Sequence, residues 1–171
     1  AALDGKVVMI HNGVDTEIFK RRQGKLRSEY KLSCDTPIVA MISTNPQFDG
    51  LHHFIEAAIC FSRIQPQSHF FLIGKTETCD EEYLLQQKQK LIDHNLERQF
   101  TFAGFRRDLP GLYPDIDVLL EPMMNGSWSR VVLEAMASGV PIIAVEADLT
   151  SDFLKHGETG ILVRNPQELG P

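Results

Sequence analysis

Basic residues are in deficit in this chain. Its 17 Lys and Arg face 23 Asp and Glu, for a net charge of −6, and that balance argues against a nucleic-acid surface. Cysteine is scarce as well. Cys34, Cys60 and Cys79 are widely separated, with no CxxC and no mixed Cys/His ligand spacing, so no metal set is expected. The thiols are expected to be reduced, as in a cytosolic compartment. No apolar run approaches the roughly 20 residues of a membrane helix, and the start lacks the pattern of a signal peptide. A Gly-rich dinucleotide fingerprint is missing too. After the first strongly apolar strand candidate comes Thr44-Asn-Pro-Gln-Phe-Asp-Gly50, where a GxGxxG would be needed. An oxidoreductase is therefore disfavoured, and an unrelated Rossmann cofactor domain would need tight NAD or flavin binding to be revived.

What is present is ordinary for one soluble domain: 171 residues, 43% hydrophobic and 23% charged. Short apolar runs alternate with amphipathic segments. Strands are expected at Val7–Ile10, Pro37–Ser43, His69–Gly74, Phe100–Ala103, Asp117–Leu120, Pro141–Val145 and Gly160–Val163. Pro37–Ser43 has the composition of a strand buried on both faces. Helices are expected over Leu51–Ile64, where Phe54, Ile55, Ala58 and Phe61 recur at helical spacing, over Asp80–His94, whose acidic first turn suits the helix dipole, and over 129–138, ending at Gly139. Residues 20–31 are polar and basic and suggest a linker helix. The alternation predicts an α/β, Rossmann-like, doubly wound parallel sheet of about six strands with helices on both faces. Its ligand site would lie beyond the strands' C-terminal ends.

The most informative stretch is Ser127–Pro141. Its helix is apolar almost all round, and one carboxylate, Glu134, interrupts it. An ionised carboxylate in such a place needs a partner or a ligand. Asn125-Gly-Ser-Trp-Ser129 feeds backbone N–H groups and a Ser cap into the helix start, which makes a ready anion site. The competing reading pairs Glu134 with Arg130, in the poorer i, i+4 orientation.

Several stretches together resemble one family. They are Val8–Asp15, Phe71–Gly74, Phe102–Asp108, Asp117–Pro122, Val132–Ala144 with its Leu-Glu-Ala-Met-Ala-Ser-Gly-Val-Pro string, and His156–Val163. Their order and spacing are similar to the C-terminal half of the retaining glycosyltransferases of family four, group 1 transferases with the two-domain GT-B architecture. The resemblance implies that residues 36–171 bind a nucleotide sugar. Residues 1–35 would be an interdomain linker strand and helix, with Asn12-Gly13 a turn and a hinge. The N-terminal acceptor domain would be absent. The whole enzyme would move a hexosyl unit from a UDP- or GDP-sugar to a polysaccharide or lipid acceptor, without a metal or other cofactor. This chain alone would be inactive. It stops at Gly170-Pro171, before the family's terminal helices, so a truncated piece or split fragment is expected. Its place would be cytoplasmic, peripheral at the inner membrane through the missing domain.

The resemblance also assigns residues. Glu134 would accept hydrogen bonds from the donor ribose. Gly126, Ser127, Trp128 and Ser129 would lie under the diphosphate and sugar, Trp128 either stacking on the sugar or packing where the family has Phe. Gly104, Phe105 and Arg106 would lie near the base. The sequence departs from the family at two places. The first of the family's paired glutamates falls on Gly126, which leaves the catalytic carboxylate unassigned and Glu121 as the nearest upstream candidate. The family's loop Arg and Lys fall on Thr44 and Asp49, and no Lys or Arg occurs from Met41 to Ser62. Fixed cations stabilise a leaving diphosphate. Candidate substitutes are Lys75, Arg130, Arg106, Arg107, His52 and His53, with Arg106 preferred over Arg107 and Lys75 weighed against a plain surface lysine. The two adjacent histidines are expected not to share a helix face. Gly74, Gly104 and Gly139 are expected at turns and caps. The alternative function is a degenerate, non-catalytic nucleotide-sugar-binding or scaffold domain.

Overall fold

The computed structural model describes residues 12–123, 130–146 and 153–170. Six strands form one parallel sheet: β1 (Ile38–Ser43), β2 (His69–Gly74), β3 (Phe100–Gly104), β4 (Val118–Glu121), β5 (Ile142–Val145) and β6 (Ile161–Val163). Their spatial order is β3-β2-β1-β4-β5-β6. Among the described residues the α-helices are α1 (Leu26–Glu29), α2 (Leu51–Ile64), α3 (Glu81–Asp93) and α4 (Arg130–Ala137). This is the doubly wound Rossmann-like fold expected from the alternating pattern.

Side-chain alternation along the strands builds two cores. From β1, Ile38, Ala40 and Ile42 join Tyr113, Val132 and Ala135 on one face. Val39 and Met41 join Phe54, Ile55 and Ala58 of α2 on the other. All six residues of β1 are buried, as its continuous apolar run requires in a sheet covered on both sides. Chain order reverses between β1, which pairs with β2 along its whole length, and β4, which pairs with β1 through Val39–Val118 and Ala40–Leu119. The strands' C-terminal ends diverge there into loops, leaving a crevice.

Local chemistry sets the element boundaries. Asp80 caps α3, its Oδ1 accepting from the Tyr83 amide at 3.0 Å. Gly139 follows α4 with φ of +72°, a left-handed C-cap position. Gly74 departs from the turn-and-cap expectation. A Cβ there would lie 1.8 Å from the Ser43 carbonyl oxygen, so it is the close approach of β2 to β1 that demands glycine.

The linker helix expected over 20–31 shrinks to the four residues Leu26–Glu29. Tertiary contacts hold the rest of that segment. The carboxylate of Asp115 takes the Arg27 amide at 2.9 Å and lies close against Gly24, while Leu26 is completely buried in the core. Tyr30 packs edge-on against Phe71 at 4.9 Å. The strand expected at 7–10 lies outside the described residues.

Candidate functional site

The crevice at the β1/β4 switch point is a cleft of about 420 Å³. Ser43, Thr44, Asn45 and Asp49 line it from the end of β1 and the loop beyond. Phe105, Arg106 and Leu109 come from the segment after β3, Glu121 and Met123 from the end of β4, and Arg130, Val131 and Glu134 from α4. Five of the sequence candidates, Phe105, Arg106, Glu121, Arg130 and Glu134, therefore meet in one place.

Glu134 sits on the side of α4 that faces this cleft and is half-buried. Its Oε2 accepts a hydrogen bond from the Tyr113 hydroxyl at 3.0 Å. Burial pushes its carboxyl above the usual range, while the Tyr113 hydrogen bond and then the Arg130 charge pull it back down. The internal Arg130–Glu134 pair is not formed within 4 Å among the described residues, and Tyr113 takes the partner's place. Arg130 opens the helix, is exposed and borders the cleft. The positive end of the α4 dipole opens at the same spot. Glu121 is buried at 7% exposure and sits at the C-terminal end of β4, beside Ala144 of β5.

Arg106 lines the cleft, but its charge is already engaged. Two of its nitrogens bind Glu29 at 2.6 and 2.9 Å, and two bind Asp108 at 2.8 Å each. Its guanidinium holds the carboxyls of Asp108 and Glu29 below the ordinary range. Asp108 is further paired with Lys25. This fourfold engagement makes Arg106 a strut between the segment before β1 and the loop after β3. Arg107 is exposed.

Lys75 is exposed beside the cleft, its Nζ 5.1 Å from the centre of the Phe105 ring. That is cation–π distance, and Phe105, 51% exposed, thereby presents a ring at the cleft edge with a cation over it. His52 and His53 do not line the cleft. Contrary to the expectation for adjacent helix positions, their ring centroids are 3.8 Å apart. Tyr83 of α3 lies beside them, its Oη 3.4 Å from His52 Nδ1. Burial and the neighbouring His53 hold His52 below its usual pKa. Gly126, Ser127, Trp128 and Ser129 lie outside the described residues.

The loop after β1, which lacks any cation, is braced by its own polar groups. Ser43 Oγ donates to Asp49 Oδ2 at 2.5 Å and accepts from the Asn45 amide at 2.9 Å. Asp49 thus brings a carboxylate into a cleft already holding Glu121 and Glu134. Among the described residues these do not converge into a metal-binding group. Chemically the cleft offers carboxylate acceptors for hydroxyl groups, a helix N-terminus with Arg130 for an anion, and an aromatic face at the rim. Tyr113 was missed from sequence because its short turn carries no periodicity and it lies far from Glu134 along the chain.

Comparison with known proteins gives a consistent result. Residues 36–170 match the family described as glycosyl transferases group 1. A lipopolysaccharide core biosynthesis mannosyltransferase of Rhizobium meliloti (strain 1021) is 23% identical over 167 residues, 95% of this chain and 48% of that protein. The Anabaena protein HepE, crystallised in complex with UDP and glucose, is similar in fold with a TM-score of 0.80 and 26% identity, over 94% of this chain and 44% of that one. The crystallised C-terminal domain of a group 1 family glycosyl transferase from Francisella tularensis gives 0.77 and 26%, covering 92% of this chain and 84% of that domain. The chain spans less than half the length of the curated relatives it matches.

Proposed function

Because the chain belongs to the group 1 glycosyl transferases, we propose that its cleft holds the nucleotide-sugar donor, a UDP- or GDP-hexose. The hexosyl unit would pass with retention to a polysaccharide or lipid acceptor carried by a separate N-terminal domain, and this chain alone would be inactive. The observation that carries the reading is the placement of Glu134 and Arg130 on the cleft-facing side of one helix at the β1/β4 switch point. Glu134 accepts from the ribose hydroxyls. Arg130 and the α4 N-terminus meet the diphosphate, supplying charge that the loop after β1 lacks. The Phe105 face, with Lys75 over it, suits a base. Glu121, buried at the end of β4, is the described carboxylate nearest along the chain to the family's first glutamate slot, Gly126. The likeness to a structure solved with UDP supports the uridine option.

The test is calorimetric titration of this chain with UDP, GDP and ADP. Binding of UDP or GDP, weakened about tenfold by Arg130→Ala with no change in Tm, is expected; a tenfold loss corresponds to about 1.4 kcal/mol. Silence from every nucleotide at millimolar concentration would overturn the reading in favour of a non-catalytic scaffold.

A further inference from the structure

Tyr113 is completely buried, yet its hydroxyl stands within reach of two acceptors. Glu134 Oε2 is 3.0 Å away, and the Val131 carbonyl oxygen is 3.3 Å away. A phenol carries one proton. When Glu134 is ionised, that proton is shared by two acceptors. When Glu134 holds a proton, it donates to Tyr113 and Tyr113 donates to Val131, so every group is satisfied. The ring is pinned by Phe19, edge-on at 5.9 Å, and its backbone lies in the tight turn Tyr113–Asp115 just before β4. It has little freedom to follow the carboxylate.

We propose that Tyr113 is a positioning residue for donor binding: its hydroxyl fixes one oxygen of the Glu134 carboxylate and leaves the other free for the ribose hydroxyls. This rests on the reading of Glu134 as the ribose contact. Among the described residues, four other charged groups border the same cleft: Glu121 from β4, Arg130 from α4, Asp49 from the loop after β1 and Arg106 from the segment after β3. Burial raises the Glu134 carboxyl and the Tyr113 hydrogen bond lowers it. Burial also pushes the phenol itself upward, so Tyr113 remains a donor throughout the working range. Removing its hydroxyl therefore raises the pH at which Glu134 becomes competent to accept from a ribose.

The experiment is UDP titration of the whole chain between pH 5 and 9, for the native sequence, Tyr113→Phe and Glu134→Gln. Native affinity falls as Glu134 takes up its proton. Tyr113→Phe moves that fall to higher pH, weakens UDP severalfold at neutral pH and recovers toward native affinity at pH 9. Glu134→Gln binds weakly, and its profile keeps only the titration of the UDP terminal phosphate at about pH 6. A Tyr113→Phe profile that keeps the native midpoint, or loses the same factor at every pH, overturns the positioning role while leaving Glu134 intact. A Glu134→Gln variant with native affinity and profile overturns the ribose reading itself, and the proposal with it. Should Tyr113→Phe fail to fold, replacing tyrosine by 3-fluorotyrosine keeps the shape and strengthens the donor. The midpoint then moves to lower pH, and an unmoved midpoint overturns the proposal.

Discussion

Arg106 grips Glu29 with both terminal nitrogens, at 2.6 and 2.9 Å, and so fastens the segment before β1 to the edge of the cleft. The residue that resemblance would give to the nucleotide base is engaged in ion pairs within the protein. Its side chain is only 16% exposed, against 42% for Glu29, so part of the attraction escapes solvent screening.

Arg106→Ala is accordingly expected to cost stability more than nucleotide affinity. A loss of roughly 1–2 kcal/mol fits a few partly screened hydrogen bonds to charged groups. The pH dependence has a definite sign. Arg106 lowers the carboxyls of Glu29 and Asp108, so their contribution is full above about pH 4, where free carboxylates ionise. It is lost as pH falls through the lower folded-state values. Tm measured from pH 3 to 7 should show a shallower acid limb in Arg106→Ala than in the native chain. Parallel curves would show that the pairs contribute nothing.

Gly74→Ala is expected to disturb both fold and cleft. The added Cβ would meet the Ser43 carbonyl oxygen at 1.8 Å, and strand backbones cannot part without breaking the β1–β2 ladder. Overpacking of this kind costs at least about 1–3 kcal/mol. Ser43 lines the cleft and braces Asp49, so UDP affinity should fall together with the urea midpoint. A native midpoint would contradict the packing described for this pair.

Glu134→Gln should separate function from stability. Burial raises the Glu134 carboxyl above its unfolded value. Its contribution to folding is therefore present below the ordinary carboxylate range and is lost as pH rises through the raised folded value. In nucleotide-free protein at pH 8 the Gln variant should melt at or above the native temperature, and the difference should shrink or reverse near pH 4. UDP affinity should drop about tenfold or more, as a charge-assisted acceptor is lost. Calorimetric melts at the two pH values decide the first point. A Gln variant markedly less stable at pH 8 would make Glu134 structural.

Leu26→Ala addresses the segment before the sheet. Leu26 is completely buried within the core that holds Tyr113 and Leu119. Truncation there should cost about 2–5 kcal/mol, read from urea unfolding. A loss under 1 kcal/mol would mean that residues 12–35 are only a linker.

Much of the fold was legible in the sequence because its signals are local. The run Ile38–Ser43 is apolar at every position except its last, and only a strand covered on both sides accommodates that. The spacing of Phe54, Ile55 and Ala58 placed α2, and Asp80 announced the start of α3. Resemblance singled out Glu134 and Phe105 because those residues sit in strings of recognisable order. The helix over 20–31 failed for the opposite reason. That stretch lacks a periodic apolar face, and its conformation is set by Asp115 and by the pocket that takes Leu26, both far along the chain.

The sequence by itself determined the parallel α/β architecture, the position of the cleft at strand ends, the absence of cations after β1 and the lone carboxylate on α4. All of these follow from hydrophobic period, turn residues and composition, which act over a few neighbours. Only the tertiary structure decided which charges are at liberty. It engaged Arg106 with Glu29 and Asp108, left Arg130 exposed at the α4 N-terminus, and gave Glu134 the buried hydroxyl of Tyr113 in place of an arginine. Partners of this kind are chosen by distance across the folded sheet, and a linear sequence carries no measure of that distance.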